Sequence, residues 1–271
     1  MYGRVVYLII FFSFFLQLSV SLNLFAHEKV IYRPEDDKSA EEAMGYSRTE
    51  GSASRYLGYR DIHFFIRKYV RGKKALDDGT GVGLSTRFLQ DQGLDVTGVD
   101  VSKEMLAQSM VRCPNVPFHL VEDGSIPLAS GTYDLVFSGF VLFELGSKEE
   151  ILTYLNEAKR VIKEDGVLIA VTGSQDMYSK DWFLFDTDYP ENKELKSGGL
   201  ARIYLREAAI EFTDYYWTEA DYRRFFKEVG FQLLEVHYPL GREDEPYPWK
   251  EEKTNSPYVV FVAKKSVSRV K

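Results

Sequence analysis

The sequence predicts an α/β fold: a doubly wound, mostly parallel seven-stranded sheet with helices on both faces. A small cap is expected to join it, made of an N-terminal helix and an insertion after the fifth strand. Three observations carry this reading. Between Lys74 and Gly173 short apolar segments alternate with amphipathic ones, the pattern of successive crossovers of one hand. Segments such as DLVFSGF and VLIAV are apolar almost throughout, as expected of strands covered on both faces. The first strand segment, Lys74–Asp78, breaks into glycines at alternate positions, Gly79, Gly81 and Gly83, just before a helical pattern opens.

Taken in order, the chain starts with an apolar run, Val5 to Ala26, interrupted by Ser13, Gln17, Ser19, Ser21 and Asn23. It is long enough to cross a bilayer, which takes about 20 residues. Residues 1–27 therefore read as a hydrophobic leader, with three interpretations open. It is a membrane anchor, a secretory signal cut after Ala26 (with Leu24 poorly suited to the site), or a mis-assigned start ahead of Met44. Lys29, Arg33 and Lys38 follow the run and Arg4 precedes it, a bias that keeps the downstream side in the cytoplasm. Residues 28–43 are a polar linker, residues 44–265 form the domain, with the cap insertion at about 174–217, and residues 266–271 are a tail.

Ser52 to Val70 reads as one helix, with Tyr56, Tyr59, His63, Ile66 and Val70 on a common face. Strands are expected at Lys74–Asp78, Asp95–Asp100, Phe118–Val121, Tyr133–Ser138 and Val167–Gly173. Helices are expected at Leu84–Gln92, Lys103–Arg112 and Lys148–Ile162. Beyond Gly173 the alternation stops. Arg202–Leu205 and Ala209–Tyr216 suggest a hairpin. Thr218 with Asp221 three residues on forms a capping-box pattern for a helix ending at Gly230. FQLLEVHYPL and PYVVFVAKK supply two last strands.

The formal net charge of −7 argues against a nucleic-acid partner, because no basic stripe is present to neutralise phosphates. A lone cysteine, Cys113, excludes an internal disulfide and a cysteine-cluster metal site. His27, His63, His119 and His237 lack ligand spacing, so no metal is expected.

The glycine turn is the chemically informative motif. Alternate glycines let the backbone pass beneath a ligand and permit positive φ, while helix N-terminal N–H groups face that ligand. Asp100 closes the next strand, where a carboxylate can accept from both hydroxyls of a ribose. Together they describe a nucleoside-binding crevice. A dinucleotide-binding fingerprint is disfavoured, because Leu84 stands near where its last glycine belongs.

With these motifs in this order, residues 44–265 resemble the class I S-adenosylmethionine (SAM)-dependent methyltransferases, most sharply between Leu76 and Gly173. The resemblance implies SAM as cofactor. Asp77 would sit near its methionine amino group, with Gly79, Thr80, Gly81 and Gly83 beneath it and Asp100 on the ribose. Val101 and Met105 would flank the adenine, whose edge Asp123 and Gly124 would read. Ser138 on the fourth strand would face the sulfonium. EAKRVIKEDGVLIAV resembles the family's helix–strand hairpin, with Gly166 as its turn glycine.

Two departures matter. Asp78 stands where an apolar residue is usual, which puts a second carboxylate near the methionine end; it either helps hold the ammonium or pairs with Lys73 or Lys74 at the strand end. Phe143-Glu144 replaces a histidine found in many members. Glu144 and His63 are the candidates for proton chemistry. Tyr46, Trp182 and Trp217 are the candidates for the substrate pocket. The implied function is methyl transfer to an N, O, S or C nucleophile of a small molecule, in a cytoplasmic domain. Membrane association through residues 5–26 raises the alternative of a membrane lipid or quinone acceptor. A non-catalytic SAM-binding scaffold is the alternative of another class.

Overall fold

The computed structural model describes residues 31–32, 52–207 and 209–266. The leader, the linker apart from Ile31 and Tyr32, Tyr46 and all of the tail after Ser266 lie outside the described residues. Among the described residues no helix is long and apolar enough to cross a membrane.

The main sheet has seven strands. They are β2 (Lys74–Asp78), β3 (Asp95–Asp100), β4 (Phe118–Leu120), β5 (Tyr133–Gly139), β6 (Ile162–Gly173), β10 (Phe231–His237) and β11 (Tyr258–Lys265). Their order across the sheet is β10-β11-β6-β5-β2-β3-β4. From β6 to β4 every pairing is parallel, and β11 alone runs against both of its neighbours. Helices α1 (Ala53–Tyr59), α2 (Ile62–Tyr69), α3 (Leu84–Asp91), α4 (Lys103–Arg112), α5 (Lys148–Val161) and α6 (Glu219–Glu228) cover its faces.

Strand residues alternate between two cores, as the period of two requires. Ala75, Leu135, Phe137, Ile169 and Val171 pack with Leu57, Ile62 and Ile66 from α1 and α2. Leu76, Val136, Leu168 and Ala170 pack on the other face with Ile151, Leu155, Phe225 and Phe226 from α5 and α6. The helices of the second face start cleanly. Ser147–Glu150 and Thr218–Asp221 both form complete capping boxes.

A second, four-stranded sheet caps the molecule, in the order β1-β9-β8-β7. Strands β7 (Phe185–Asp186), β8 (Leu200–Leu205) and β9 (Ile210–Tyr215) come from the insertion, and β1 (Ile31–Tyr32) pairs in parallel with β9. Ile203, Phe212, Phe185 and Trp182 are continuous with the first core, so cap and sheet share one apolar interior.

Three local expectations are corrected. The helix expected over Ser52–Val70 is two, broken at Arg60–Asp61, where the Asp61 carboxylate accepts from Arg60 and from His237 Nε2 at 2.8 Å. The buried face of α2 is Ile62 and Ile66, while Tyr56 and Phe64 are exposed. Gly166 is no turn residue but lies within β6, where an added Cβ would stand 2.8 Å from the Tyr133 carbonyl oxygen.

Candidate active site

The glycine turn leaves β2 at Asp78 and is pinned to β3 by the Gly79 and Thr80 N–H groups, which both donate to the Val99 carbonyl. All three glycines have positive φ, between 53° and 85°. They do different things. A Cβ on Gly79 would collide with the Val141 side chain, and one on Gly83 would stand 3.0 Å from Ser109 Cα, whereas Gly81 has nothing within 4 Å. Gly79 thus allows the turn to pass under the segment after β5, and Gly83 allows α3 to seat against α4. In the ligand-free protein Gly81→Ala is therefore expected to cost only the left-handed backbone penalty, about 1–2 kcal/mol. Gly79→Ala should cost roughly 1–3 kcal/mol more, from overpacking. Comparing the two melting temperatures checks this.

Asp100 ends β3 and holds the turn from the other side. Its Oδ2 accepts from Gly81 N at 2.7 Å and its Oδ1 from Ser102 N at 2.9 Å. The side chain still fronts a cavity of about 610 Å³, together with Gly79, Thr80, Gly81, Val101 and Met105. Val101 is 69 % exposed although apolar, so this wall offers an uncovered face to a flat ligand. Gly124 also lines the cavity. Asp123 beside it has φ of 51° and is exposed outside the lining. Arg160 fixes the loop that follows, donating to the Ile126 and Leu128 carbonyls at 2.7 and 2.8 Å.

The two motif acids exchange their expected places. Asp77 is fully buried and turned into the protein, accepting from Ser85 Oγ at 2.8 Å and Thr86 Oγ1 at 2.6 Å. It is Asp78 that lines the cavity, with no lysine beside it and its Oδ2 buried without a hydrogen-bond partner. Burial pushes Asp77 up to about 6 and Asp78 up to about 7, opposed by hydroxyls in each case. Ser138 lies under the cavity floor, accepting from Tyr154 Oη at 2.7 Å, and is not part of the lining.

Opposite the glycine turn the cavity runs beneath the cap. Met177, Phe185, Ile203, Leu205 and Phe212 form an apolar roof, with Asp214, Tyr59, Arg55 and Tyr258 at its side. Phe140, just past β5, lines the same space in a left-handed conformation with φ of 65°, costly for an aromatic residue. Its ring stacks on Tyr59 at 5.4 Å and meets Tyr258 edge-on at 5.1 Å. Glu144 sits on the 3₁₀ turn Leu142–Glu144 and also faces the cavity.

Three proposed participants lie elsewhere. His63 is on the outer part of α2, its Nδ1 2.8 Å from the Arg60 carbonyl oxygen. Trp182 is wholly buried, donating to the Met177 carbonyl at 2.7 Å, and Trp217 packs on Phe225 while donating to the Leu145 carbonyl at 2.9 Å. Neither tryptophan lines the cavity, because each indole N–H is used inside the fold. The roof is built from aliphatic and phenylalanine side chains on alternate cap-strand positions, which no glycine or charged motif marks in the sequence.

The residues present fit the expected cofactor. An open glycine cradle, the strand-end carboxylate of Asp100 and the uncovered apolar face of Val101 adjoin Asp78 Oδ2, a buried acceptor that lacks a donor. Comparison with known proteins agrees. Residues 76–170 match the model of a methyltransferase domain family. A demethylmenaquinone methyltransferase of Tropheryma whipplei is 34% identical over 101 residues, 36% of this chain and 41% of that protein. A malonyl-[acyl-carrier protein] O-methyltransferase of Enterobacter lignolyticus is 33% identical over 108 residues, 39% of this chain and 41% of that protein. The chain thus spans about two fifths of the length of these curated relatives. An S-adenosylmethionine-dependent methyltransferase from Clostridium acetobutylicum superposes with a TM-score of 0.60 at 14% identity. That match covers 84% of this chain and 100% of the other, and it shares the fold.

Proposed function

We propose that this chain, which carries a methyltransferase domain over residues 76–170 in a class I SAM-methyltransferase fold, transfers methyl groups from SAM to a small, largely apolar acceptor. The observation that carries this reading is the continuity of one cavity. The same space that holds the glycine turn and Asp100 extends beneath the apolar cap.

When bound, SAM supplies a methyl carbon already activated by its sulfonium. The chain's own contribution is then positional. The glycine turn and Asp100 fix the nucleoside, and the roof of Met177, Phe185, Ile203, Leu205 and Phe212 orients the acceptor and keeps water out. Glu144, a carboxylate of the cavity lining on the 3₁₀ turn after β5, would receive the acceptor's proton. His63 has no such position and is not proposed for that role.

The test is direct. The full chain is incubated with methyl-labelled SAM and a panel of phenols, amines, thiols and quinols, and S-adenosylhomocysteine is measured. Turnover with one acceptor class supports the reading. Tight SAM binding without turnover on any acceptor would leave a non-catalytic scaffold. For the accepted substrate, Glu144→Gln is expected to lower kcat roughly 10²-fold or more, the scale of general-base loss, with cofactor affinity unchanged. An unaltered kcat would remove Glu144 from the chemistry.

A quinone or membrane-lipid acceptor is the second reading. It is favoured by the apolar roof, by the name of the Tropheryma whipplei relative and by the apolar run at residues 5–26. Activity that rises when the quinol is presented in vesicles would select it.

A further inference from the structure

We infer that Asp78 is the residue that grips the ammonium group of the cofactor's methionine end, and that it does so by giving up a proton as the ligand arrives. The inference rests on the methyltransferase reading and adds a ligand-binding role for a residue that departs from the family pattern.

The geometry comes first. Asp78 is the last residue of β2 and directly precedes Gly79, so it belongs to the wall over which the cofactor lies. Asp100, the ribose-side acid, ends the neighbouring strand, in which Val99 is the register partner of Asp78. A ligand fixed by its ribose at Asp100 must therefore carry its amino-acid end across the turn. Asp78 Oδ2 is a buried acceptor with no donor. Asp77 Oδ1 is likewise buried without a partner, but Asp77 cannot substitute, because its side chain is outside the cavity lining, with Oδ2 turned to Ser85 and Thr86.

An orphaned acceptor needs an N–H or O–H, and this decides between the cofactor's two cations. The sulfonium carries none. The ammonium carries three, and a charge-assisted bond to a carboxylate is the strong kind.

The protonation state follows from the surroundings. The charged groups that face Asp78 are Asp77 on its own strand, Asp100 on β3 and Glu157 on α5, all acids, while the Tyr154 hydroxyl from α5 is the group that favours ionisation. Burial is the largest influence, and the carboxyl is pushed up to about 7. Below that pH the empty site holds a neutral acid. Docking of an ammonium favours the carboxylate, so the carboxyl proton leaves to solvent as the ion pair forms and no other bond is made or broken. Affinity for an ammonium-bearing ligand must then rise with pH, by up to tenfold per unit below about 7, and level off above it.

Calorimetric titration of the full chain at pH 5.5, 6.5 and 7.5 tests this with two ligands. S-adenosylhomocysteine keeps the ammonium and lacks the sulfonium charge. 5′-Methylthioadenosine lacks the amino-acid end altogether and subtracts any pH effect of Asp77 or Asp100 on the nucleoside. The homocysteine ligand is expected to tighten roughly tenfold between pH 5.5 and 6.5 and a few-fold further to 7.5, while the thioadenosine stays flat. In Asp78→Asn the homocysteine ligand should bind at least about tenfold more weakly at pH 7.5 and lose its slope. Unchanged thioadenosine binding in the same variant would show that its pocket is folded. If the variant keeps both the affinity and the slope for S-adenosylhomocysteine, the inference is overturned and the methyltransferase reading stands. If neither ligand binds the wild-type chain at any pH, the methyltransferase reading itself fails.

Discussion

Asp100→Ala is expected to weaken SAM binding by well over tenfold, the largest single effect on the cofactor site. Loss of a charge-assisted pair of hydrogen bonds to the ribose would alone cost about 1.5–3 kcal/mol. The geometry adds a second loss. Each carboxylate oxygen of Asp100 also accepts a backbone N–H, one from Gly81 in the turn and one from Ser102 at the cap of α4. Alanine frees both donors, and the turn that carries Gly79 and Gly81 loses its strut. Asp100→Asn separates the two effects in part, because one oxygen remains to accept from the backbone while the amide NH2 opposes the other N–H. It should lose less thermal stability than Asp100→Ala while still losing much of the affinity. Equal affinity for wild type and Asp100→Ala in a calorimetric titration would remove the ribose role from this residue.

Trp182→Ala is the second large effect, and it falls on stability. Trp182 is among the largest fully buried side chains, and removing such a ring from a packed core costs about 3–5 kcal/mol. At about 2–4 °C per kcal/mol for a domain of this size, the melting temperature should drop by roughly 10 °C. The indole also donates to the Met177 carbonyl, and its own carbonyl accepts from Arg206 Nη1 at 2.5 Å. Met177 and Phe185 both line the cavity roof and share the Trp182 core. The variant should therefore also raise KM for the acceptor more than it lowers affinity for SAM. A melting temperature within a degree of wild type would show that the cap contributes little to the core.

The contrast between these residues marks what the sequence reveals. Backbone geometry and strand chemistry are legible, because alternate glycines, a strand-ending acid and uninterrupted apolar runs each have one economical structural solution. The sheet, the turn and Asp100 follow from them. The orientation of a side chain at a strand end is not legible in the same way. Asp77 and Asp78 are adjacent and chemically identical, and the pleat sends them to opposite sides. The hydroxyls of Ser85 and Thr86, in the first turn of α3, decide which of them is held inside the fold. A Ser-Thr pair at the start of a helix after an acidic doublet is the signal that would have sorted them. The tryptophans misled for a related reason. Their size suggests a pocket wall, but an indole whose N–H finds a nearby carbonyl is equally at home in a core, and both do. The break at Arg60–Asp61 was hidden because the contacts that stabilise it come from Glu245 and His237, far along the chain.

The antiparallel strand β11 has a consequence for the order in which the molecule is made. It is the last strand described, yet it is interior to the sheet, and within the sheet β10 pairs with it alone among the described strands. Tyr258, its first residue, reaches the Ser54 hydroxyl at the opening of α1 and presses on Phe140 in the cavity wall. A ribosome delivers the glycine turn, Asp100 and the cap long before it delivers Tyr258. Between the emergence of β6 and that of β11, β6 therefore has a bare edge and the pocket lacks one side. The cavity is thus closed by a residue that follows all of its other lining residues in the chain, and a nascent chain stalled before residue 258 holds every signature motif while lacking the wall that joins them.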